Sequence, residues 1–455
     1  MKMSTVLFLL MAALEIALAV FTCRKETEKK TWRKNRLFVR LAQLVIAFVA
    51  VLLPFGQKWR LTPVLTTLAI LALIVGLAVL LKRRKAEGTM RKGKAISSCV
   101  LSIVLIGFSL FPAYIFTGYK GLPVSGGYAV KETSAILIDS ARTDPFETDG
   151  SFREVPVHFY YPQTEAGSAE TFPLVVFSHG AFGYYQSNTS TYMELAASGY
   201  VVAALDHPHH AFFTKDTAGG TVIVDMDFMN AALNLNNDTP VEEQYALYTE
   251  WMELRTADMN FAVDAVKAAV QTGTTDGSWF FDEKDGETIR TVLAMTDASK
   301  IGLMGHSMGG AAAVELGRER GDVAAVADLD GTMLGEYLGV ENGDFVINDA
   351  PYPVPVLEFN NWSTYQERAE YLAQGGSYPN DVLMANAAAG FTTTIRGTEH
   401  MDFTDLPLLS PFLGNMLGSG ERGAEETLTV VNSLVLQFFD CYLKGEGVFA
   451  VQDVY

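Results

Sequence analysis

Four apolar stretches crowd into the first 117 of 455 residues, at Thr5 to Phe21, Leu37 to Phe55, Leu61 to Leu81 and Ile96 to Phe116. Each approaches the ~20 residues that an α-helix needs to cross a bilayer. None carries the continuous polar face expected of a helix on the surface of a soluble domain. The pattern predicts an all-α region of four transmembrane helices. The first stretch has little basic n-region and no small-residue cleavage site before Cys23, so it reads as a span rather than a signal peptide.

Basic residues set the expected orientation. Segment 23 to 36 holds seven Lys and Arg, segment 82 to 94 another seven, and the turn between the second and third stretches only Lys58 and Arg60. Cytoplasmic loops are enriched in Lys and Arg, which places both basic loops inside. The expectation is a multi-pass cell-membrane protein with both termini, and the domain that follows the helices, extracytoplasmic. Residues 1 to 117 carry 18 Lys/Arg against 4 Asp/Glu, whereas the remainder carries 16 against 48, so the net charge of −18 joins a +14 anchor to a −32 domain. An acidity of that size argues against nucleic acid as a partner and against electrostatic docking on anionic headgroups. Glu15 lies inside the first apolar stretch, where a charge requires a partner. The helix bearing Ser97 and Ser98 is one candidate. Cys23, Cys99 and Cys441 are too scattered to indicate a disulfide framework.

Residues 118 to 150 are rich in Gly, Ser and Asp and read as a linker with an edge strand at Ser134 to Ile138. From 151 to 455 apolar runs recur at Val155 to Tyr161, Pro173 to Ser178, Tyr200 to Leu205, Ile301 to Met304, Val323 to Asp330, Val354 to Phe359 and Thr392 to Ile395. Helical stripes fill the gaps, among them Tyr248, Met252, Met259, Val263, Val266 and Val270, and Leu428, Val431, Val435, Phe438 and Tyr442. Strands alternating with helices predict an α/β domain, a mostly parallel sheet covered on both faces. The polar segment Phe212 to Pro240 is too long for an ordinary connection and reads either as a lid, with Met226, Phe228 and Met229 as its apolar side, or as a mobile surface insertion.

Chemistry enters at Gly305-His306-Ser307-Met308-Gly309, between the run Ile301 to Met304 and the small-residue run Gly309 to Val314. A serine flanked by glycines at a strand-to-helix turn is the nucleophile elbow of the α/β-hydrolase fold. A serine hydroxyl is a weak nucleophile without a base, and in this fold the acid and then the histidine follow it along the chain. His400 is the one histidine after Ser307, and it follows the run Thr392 to Ile395. Asp330 closes the strand after the elbow helix and is preferred over Asp328 as the acid. Developing oxyanions are held by backbone N–H groups; Met308 supplies one, and Ala181, in the His179-Gly180-Ala181-Phe182-Gly183 turn, the other. His179, Phe182 and His207 are expected to border the substrate. The run Asp206-His207-Pro208-His209-His210 has metal-ligand residue types, but a serine hydrolase needs no metal and neither metal nor cofactor is expected.

Phe177-Ser178-His179-Gly180, the Ser307 elbow, Leu329-Asp330 and Ile395-Arg396-Gly397 with His400 and Phe403 together resemble the platelet-activating-factor acetylhydrolases of the plasma type. The resemblance covers about residues 150 to 445 and leaves the membrane region outside it. It implies an α/β-hydrolase that removes short or oxidised acyl chains from phospholipids without calcium. Ser307, Asp330 and His400 would be its triad, with Ala181 and Met308 as oxyanion donors. Cutinase-like and polyester-hydrolysing enzymes share much of the pattern, so a general carboxylesterase is the alternative. A non-catalytic hydrolase-fold receptor coupled to the helices is a third reading, disfavoured by the intact Ser, Asp and His.

Overall fold

The computed structural model describes residues 3–24, 26–52, 58–81, 88–119, 121–165, 168–236 and 238–455. Leu53 to Phe55 of the second apolar stretch, and Lys25 and Lys82 to Lys85 of the basic loops, lie outside the described residues. The chain divides into two compact units, Met1–Gly121 with Leu408–Met416, and Leu122–Pro407 with Leu417–Tyr455.

In the first unit the apolar stretches form α1 (Met3–Arg24), α2 (Lys29–Leu52), α3 (Thr62–Leu81) and α4 (Lys92–Ser109), followed by the short α5 (Phe111–Ile115). Four helices here are long and apolar enough to cross a membrane. Their outer faces expose Leu9, Ile16, Phe48, Leu73 and Val104, while Glu15, Arg40, Gln43 and Ser102 are buried between them. A soluble bundle would show the reverse. In a helix bundle surrounded by hydrocarbon, polar groups are expected to face inward and bond one another. Glu15 pairs with Arg40 of α2, Gln43 Nε2 donates to Glu15 Oε1 at 2.9 Å, and Arg40 Nη2 donates to Ser102 Oγ at 2.5 Å. The acid therefore finds a guanidinium on α2, and α4 contributes Ser102 rather than Ser97 or Ser98. The segment Leu408–Met416 joins this unit through Thr117 N–H, which donates to the Leu409 carbonyl at 2.7 Å, and Ser410 Oγ, which donates to the Ile115 carbonyl at 2.9 Å.

The second unit carries a nine-stranded sheet and two hairpins. In chain order its strands are β1 (Val130–Thr143), β2 (Phe152–Pro162), β3 (Phe172–Ser178), β4 (Val201–Leu205), the hairpin β5–β6 (Phe213–Lys215, Thr221–Ile223), β7 (Trp279–Phe280), β8 (Thr296–His306), β9 (Val323–Leu329), the hairpin β10–β11 (Tyr337–Glu341, Asp344–Ile347), β12 (Val356–Asn360) and β13 (Gly390–Thr394). The large sheet runs β13-β12-β9-β8-β3-β4-β2-β1-β7. The six strands from β13 to β4 are parallel and β2, β1 and β7 add antiparallel pairings. In the segment expected as a linker, the strand expected at Ser134 to Ile138 is the middle of a longer strand, β1, which pairs with β2 between Val130 and Thr143. Its alternating buried Ala135 and Leu137 were too few to announce a 14-residue strand.

Helices α6 (Thr189–Ala197), α7 (Met226–Asn234), α8 (Val241–Thr272), α9 (Gly286–Met295), α10 (Met308–Glu319), α11 (Trp362–Ala373) and α12 (Pro379–Asn386) fill the connections, and a last helix spans Ala424–Phe439. One apolar core packs α8, α9 and α10 on one sheet face, with Val263, Ile289 and Leu303 at its centre. Another packs α6 and the last helix on the opposite face, with Tyr192, Leu357 and Phe438. Burial on both faces explains why the parallel strands read as continuous apolar runs.

A charged cluster ties β2 to α8. Buried Arg153 donates to Asp258 through Nε at 3.2 Å and Nη2 at 2.8 Å, and to Asp144 through Nη1 at 3.0 Å. Arg142 Nη2 reaches the same Asp258 at 2.9 Å. Burial raises the Asp258 pKa, but the Arg153 guanidinium and the His207 hydrogen bond outweigh it and hold the carboxyl well below the usual carboxylate range. Removing one partner of a buried pair leaves an uncompensated charge. Asp258→Ala is therefore expected to destabilise this unit by about 3–5 kcal/mol, measured by chemical denaturation; a loss below about 1 kcal/mol would contradict the account.

Candidate active site

The site grows from the carboxyl ends of the parallel strands, the edge at which α/β sheets bind ligands. Strand β8 runs into Ser307 and α10 begins at Met308, leaving the serine at φ 55° and ψ −127°. That backbone is costly for a residue with a Cβ and persists only where its surroundings impose it. Here Ser307 N–H donates to the Leu329 carbonyl at 3.0 Å, and the Ser307 carbonyl accepts from Ala311 N–H at 3.1 Å. The flanking glycines are required by contact. A Cβ on Gly305 would lie 2.1 Å from the Gly309 backbone, and one on Gly309 2.1 Å from the Ser178 carbonyl oxygen.

Asp330 follows β9 with φ 60°. Its Oδ1 accepts the Asn361 backbone N–H at 2.6 Å, and Asn361 Nδ2 donates to Oδ2 at 2.9 Å. Asn361 leaves the end of β12 and caps α11 by accepting Thr364 N–H at 2.8 Å. His400 opens a short turn after β13, held by Glu399 and Asp402 in reciprocal capping bonds. Buried His306 donates from Nε2 to the His400 carbonyl at 3.2 Å. Burial, with His400 beside it, pushes the His306 pKa far below its ordinary value, so this donor is neutral.

These elements bring Ser307, His400 and Asp330 into line. His400 Nδ1 lies 2.6 Å from Asp330 Oδ2, and Nε2 lies 2.9 Å from Ser307 Oγ. With Nδ1–H donated to the carboxylate, the Nε2 lone pair faces the serine hydroxyl, the arrangement in which imidazole can take its proton. Asp328, the rejected alternative, points back into the domain, where Oδ1 accepts Gly331 N–H at 2.9 Å. Burial, with Glu358 and Asp330 nearby, raises its pKa well above the usual carboxylate range.

Ser307, Asp330 and His400 open on a cavity of about 300 Å³ that Ala181, Phe182 and Met308 also border. Its apolar wall comes from Ala232 of α7, Leu235, Tyr248 and Trp251 of α8, and Leu334; its polar wall includes Thr332, Asn361, Tyr378 and Asn380. Among the described residues, no lysine or arginine lines it. The long segment 212 to 240 is thus a hairpin and a helix, and α7 forms one wall. Phe228 turns inward to stack on His210 at 3.7 Å, whereas Met226 faces outward.

His179 and His207 do not line the cavity. Both are fully buried behind the loop after β3. His207 Nδ1 donates to Asp258 at 3.0 Å and its Nε2 accepts from Ser178 Oγ at 2.8 Å, while His179 Nδ1 donates to the Gly180 carbonyl at 2.6 Å. The histidine-rich run satisfies loop hydrogen bonds, because the Asp258 carboxylate behind it attracts His207 inward. Asn361 and His306 are functional neighbours that sequence reasoning missed. Position at a strand exit, and inside the elbow, was the available signal.

A family model described as platelet-activating factor acetylhydrolase, isoform II, matches residues 155–450. The chain belongs to this family. Its curated relatives include platelet-activating factor acetylhydrolases from Bos taurus, 23% identical over 288 residues (61% of this chain, 58% of the relative), and Gallus gallus, 24% identical over 296 residues (60% and 63%). The chain spans about three fifths of the length of these relatives. A ferulic acid esterase from Streptomyces cinnamoneus shares the fold, with a TM-score of 0.52 and 22% identity over 72% of this chain and 93% of that one.

Burial lowers the His400 pKa, but its bond to Asp330 and that carboxylate's charge outweigh burial and leave it above the ordinary 6.5. Neutral imidazole is the form able to act as a base, so kcat/KM of this acetylhydrolase family member is expected to rise with pH through a midpoint above 6.5. The linkage to stability has the opposite sign. The raised pKa contributes stability that is complete below the unfolded value and lost as pH rises through the folded one. Paired pH profiles of activity and of the denaturation midpoint check both directions.

Proposed function

We propose that this protein is a membrane-anchored serine ester hydrolase that acts through an acyl-enzyme on lipid-like esters, short-acyl phospholipids among them. The observation that carries the reading is the continuous line from Asp330 through His400 to Ser307, at 2.6 and 2.9 Å, opening on a cavity with an apolar wall. His400 Nε2 takes the Ser307 proton as Oγ attacks the ester carbonyl carbon. The carbonyl oxygen becomes an oxyanion facing the Ala181 and Met308 N–H groups. As the carbon–oxygen bond to the alcohol breaks, His400 returns its proton to the leaving oxygen and the acyl group stays on Ser307. A water then gives a proton to His400 and attacks the acyl carbon; as the bond from that carbon to Ser307 Oγ breaks, His400 passes its proton to Oγ, releasing the carboxylic acid and restoring the serine. No metal or cofactor enters this sequence.

The four apolar helices favour a substrate that partitions into or beside a bilayer, and the basic residues of the two loops support an extracytoplasmic hydrolase unit. A cavity lining without lysine or arginine among the described residues favours a neutral or zwitterionic ester over an anionic one. The same lining, and the likeness to a ferulic acid esterase, also suit a general carboxylesterase. Turnover of short-acyl phosphatidylcholine against nitrophenyl acetate separates these readings, and absence of phospholipid turnover removes the lipid one.

Labelling by a fluorophosphonate tests the chemistry. Wild-type protein is expected to label at Ser307 and Ser307→Ala not at all, while His400→Ala labels slower by about 10²- to 10⁴-fold. A wild-type protein that resists labelling contradicts the hydrolase reading and favours a receptor.

A further inference from the structure

Behind the loop that follows β3 lies a guanidinium for which the serine, histidine and aspartate have no use. Arg255 of α8 is fully buried, and among the described residues no carboxylate lies within ion-pairing distance of it. Its Nη1 donates to the His179 carbonyl, its Nη2 to the Gly180 carbonyl at 3.4 Å, and its Nε to His210 Nδ1 at 3.4 Å. A buried cation without a counter-ion is expensive, and this one directs its N–H groups at two successive peptide carbonyls.

The Gly180 carbonyl is held from three sides. Besides Arg255, it accepts from His179 Nδ1 at 2.6 Å and from Gly183 N–H at 3.1 Å. His179 is itself oriented by accepting the His207 N–H on Nε2 at 3.2 Å. The Gly180 carbonyl and the Ala181 N–H belong to one planar trans peptide and point in opposite directions. Fixing one end therefore aims the other. The loop is also pressed against the elbow, since a Cβ on Gly180 would lie 2.8 Å from His306 Nδ1 and 3.2 Å from Ser307 Cβ. A flip of this peptide would turn a carbonyl oxygen, in place of an N–H, toward the oxyanion.

We propose that Arg255 is a positioning residue for the oxyanion site: by holding the His179 and Gly180 carbonyls it keeps the Ala181 N–H turned toward the reacting carbonyl, and its charge polarises that peptide. The assignment rests on the ester-hydrolase reading of Ser307. It acts on the transition state, where negative charge develops, rather than on the bound ester.

The test uses the full-length protein and counts competent sites by the end point of fluorophosphonate titration. Arg255→Met is expected to lower kcat per titrated site about a hundredfold, the scale of losing one oxyanion donor, with KM changed less than about threefold, and Arg255→Lys to fall between it and wild type. Affinity for a trifluoromethyl ketone, whose serine adduct carries the same oxyanion, should weaken in step with kcat/KM. A merely structural Arg255 would lower the number of titratable sites and leave kcat per site unchanged, which would overturn the proposal. If neither variant folds, His179→Leu removes the other side-chain donor to the Gly180 carbonyl and must show the same kcat-selective loss; unchanged turnover per site there would also overturn it. A wild-type protein that is neither labelled nor active on esters fails the hydrolase reading itself, and is distinguished from these outcomes by the control.

Discussion

A serine hydroxyl can meet both a base and a substrate carbonyl only if the backbone carries it clear of the strand that delivers it. In this chain that depends on one close approach of main chains. Gly305 and Gly309 let the end of β8 and the start of α10 come within the distance a side chain would occupy, with the Ser178 carbonyl against Gly309. Ser307 is then held at positive φ by bonds to Leu329 and Ala311. Strain of this kind, about 1–3 kcal/mol, survives only when the surrounding sheet over-determines it.

The parallel sheet supplies the rest by register. Strands β8, β9, β12 and β13 are adjacent in the order β13-β12-β9-β8 and end at one edge. Their exits deliver Ser307, Asp330, Asn361 and His400, which lie far apart in sequence. Each residue is then fixed by a neighbour from another exit: Asn361 on Asp330, His306 on the His400 carbonyl. On the other side of the elbow β3 delivers the Gly180 loop, whose carbonyls are captured by α8. Helix α8 thus serves two purposes, since Trp251 lines the cavity and Asp258 neutralises Arg153 one turn beyond Arg255.

Local features were legible in the sequence because their causes are local. The glycine-flanked serine, the apolar helices and the doubly buried strands each show in a short window, and the order Ser, Asp, His followed from the elbow. Asp330 could be chosen over Asp328 because strand exits face the site. What was not legible depends on distant residues. The strand expected at Ser134 to Ile138 is there, but its extension to Val130 and Thr143 rests on pairing with β2, which compensates for a polar outer face. The hairpin β10–β11 is held by Tyr337 and Phe345 stacking with each other and with Tyr248 of α8, and nothing within its own window requires it. His179 and His207 are expected from their sequence positions to border the substrate, yet the buried Asp258 and the Gly180 carbonyl turn them away from that side.

The central claim is that Ser307 carries the acyl group between two chemical steps. Rapid quenching of full-length protein during turnover of a short-acyl ester, followed by peptide mass analysis, tests it directly. The account predicts a mass increment of one acyl group on the Ser307 peptide, lost as free acid forms and absent from Ser307→Ala. Turnover that proceeds with no acylated Ser307 peptide at any time, or acylation that persists in Ser307→Ala, would contradict it.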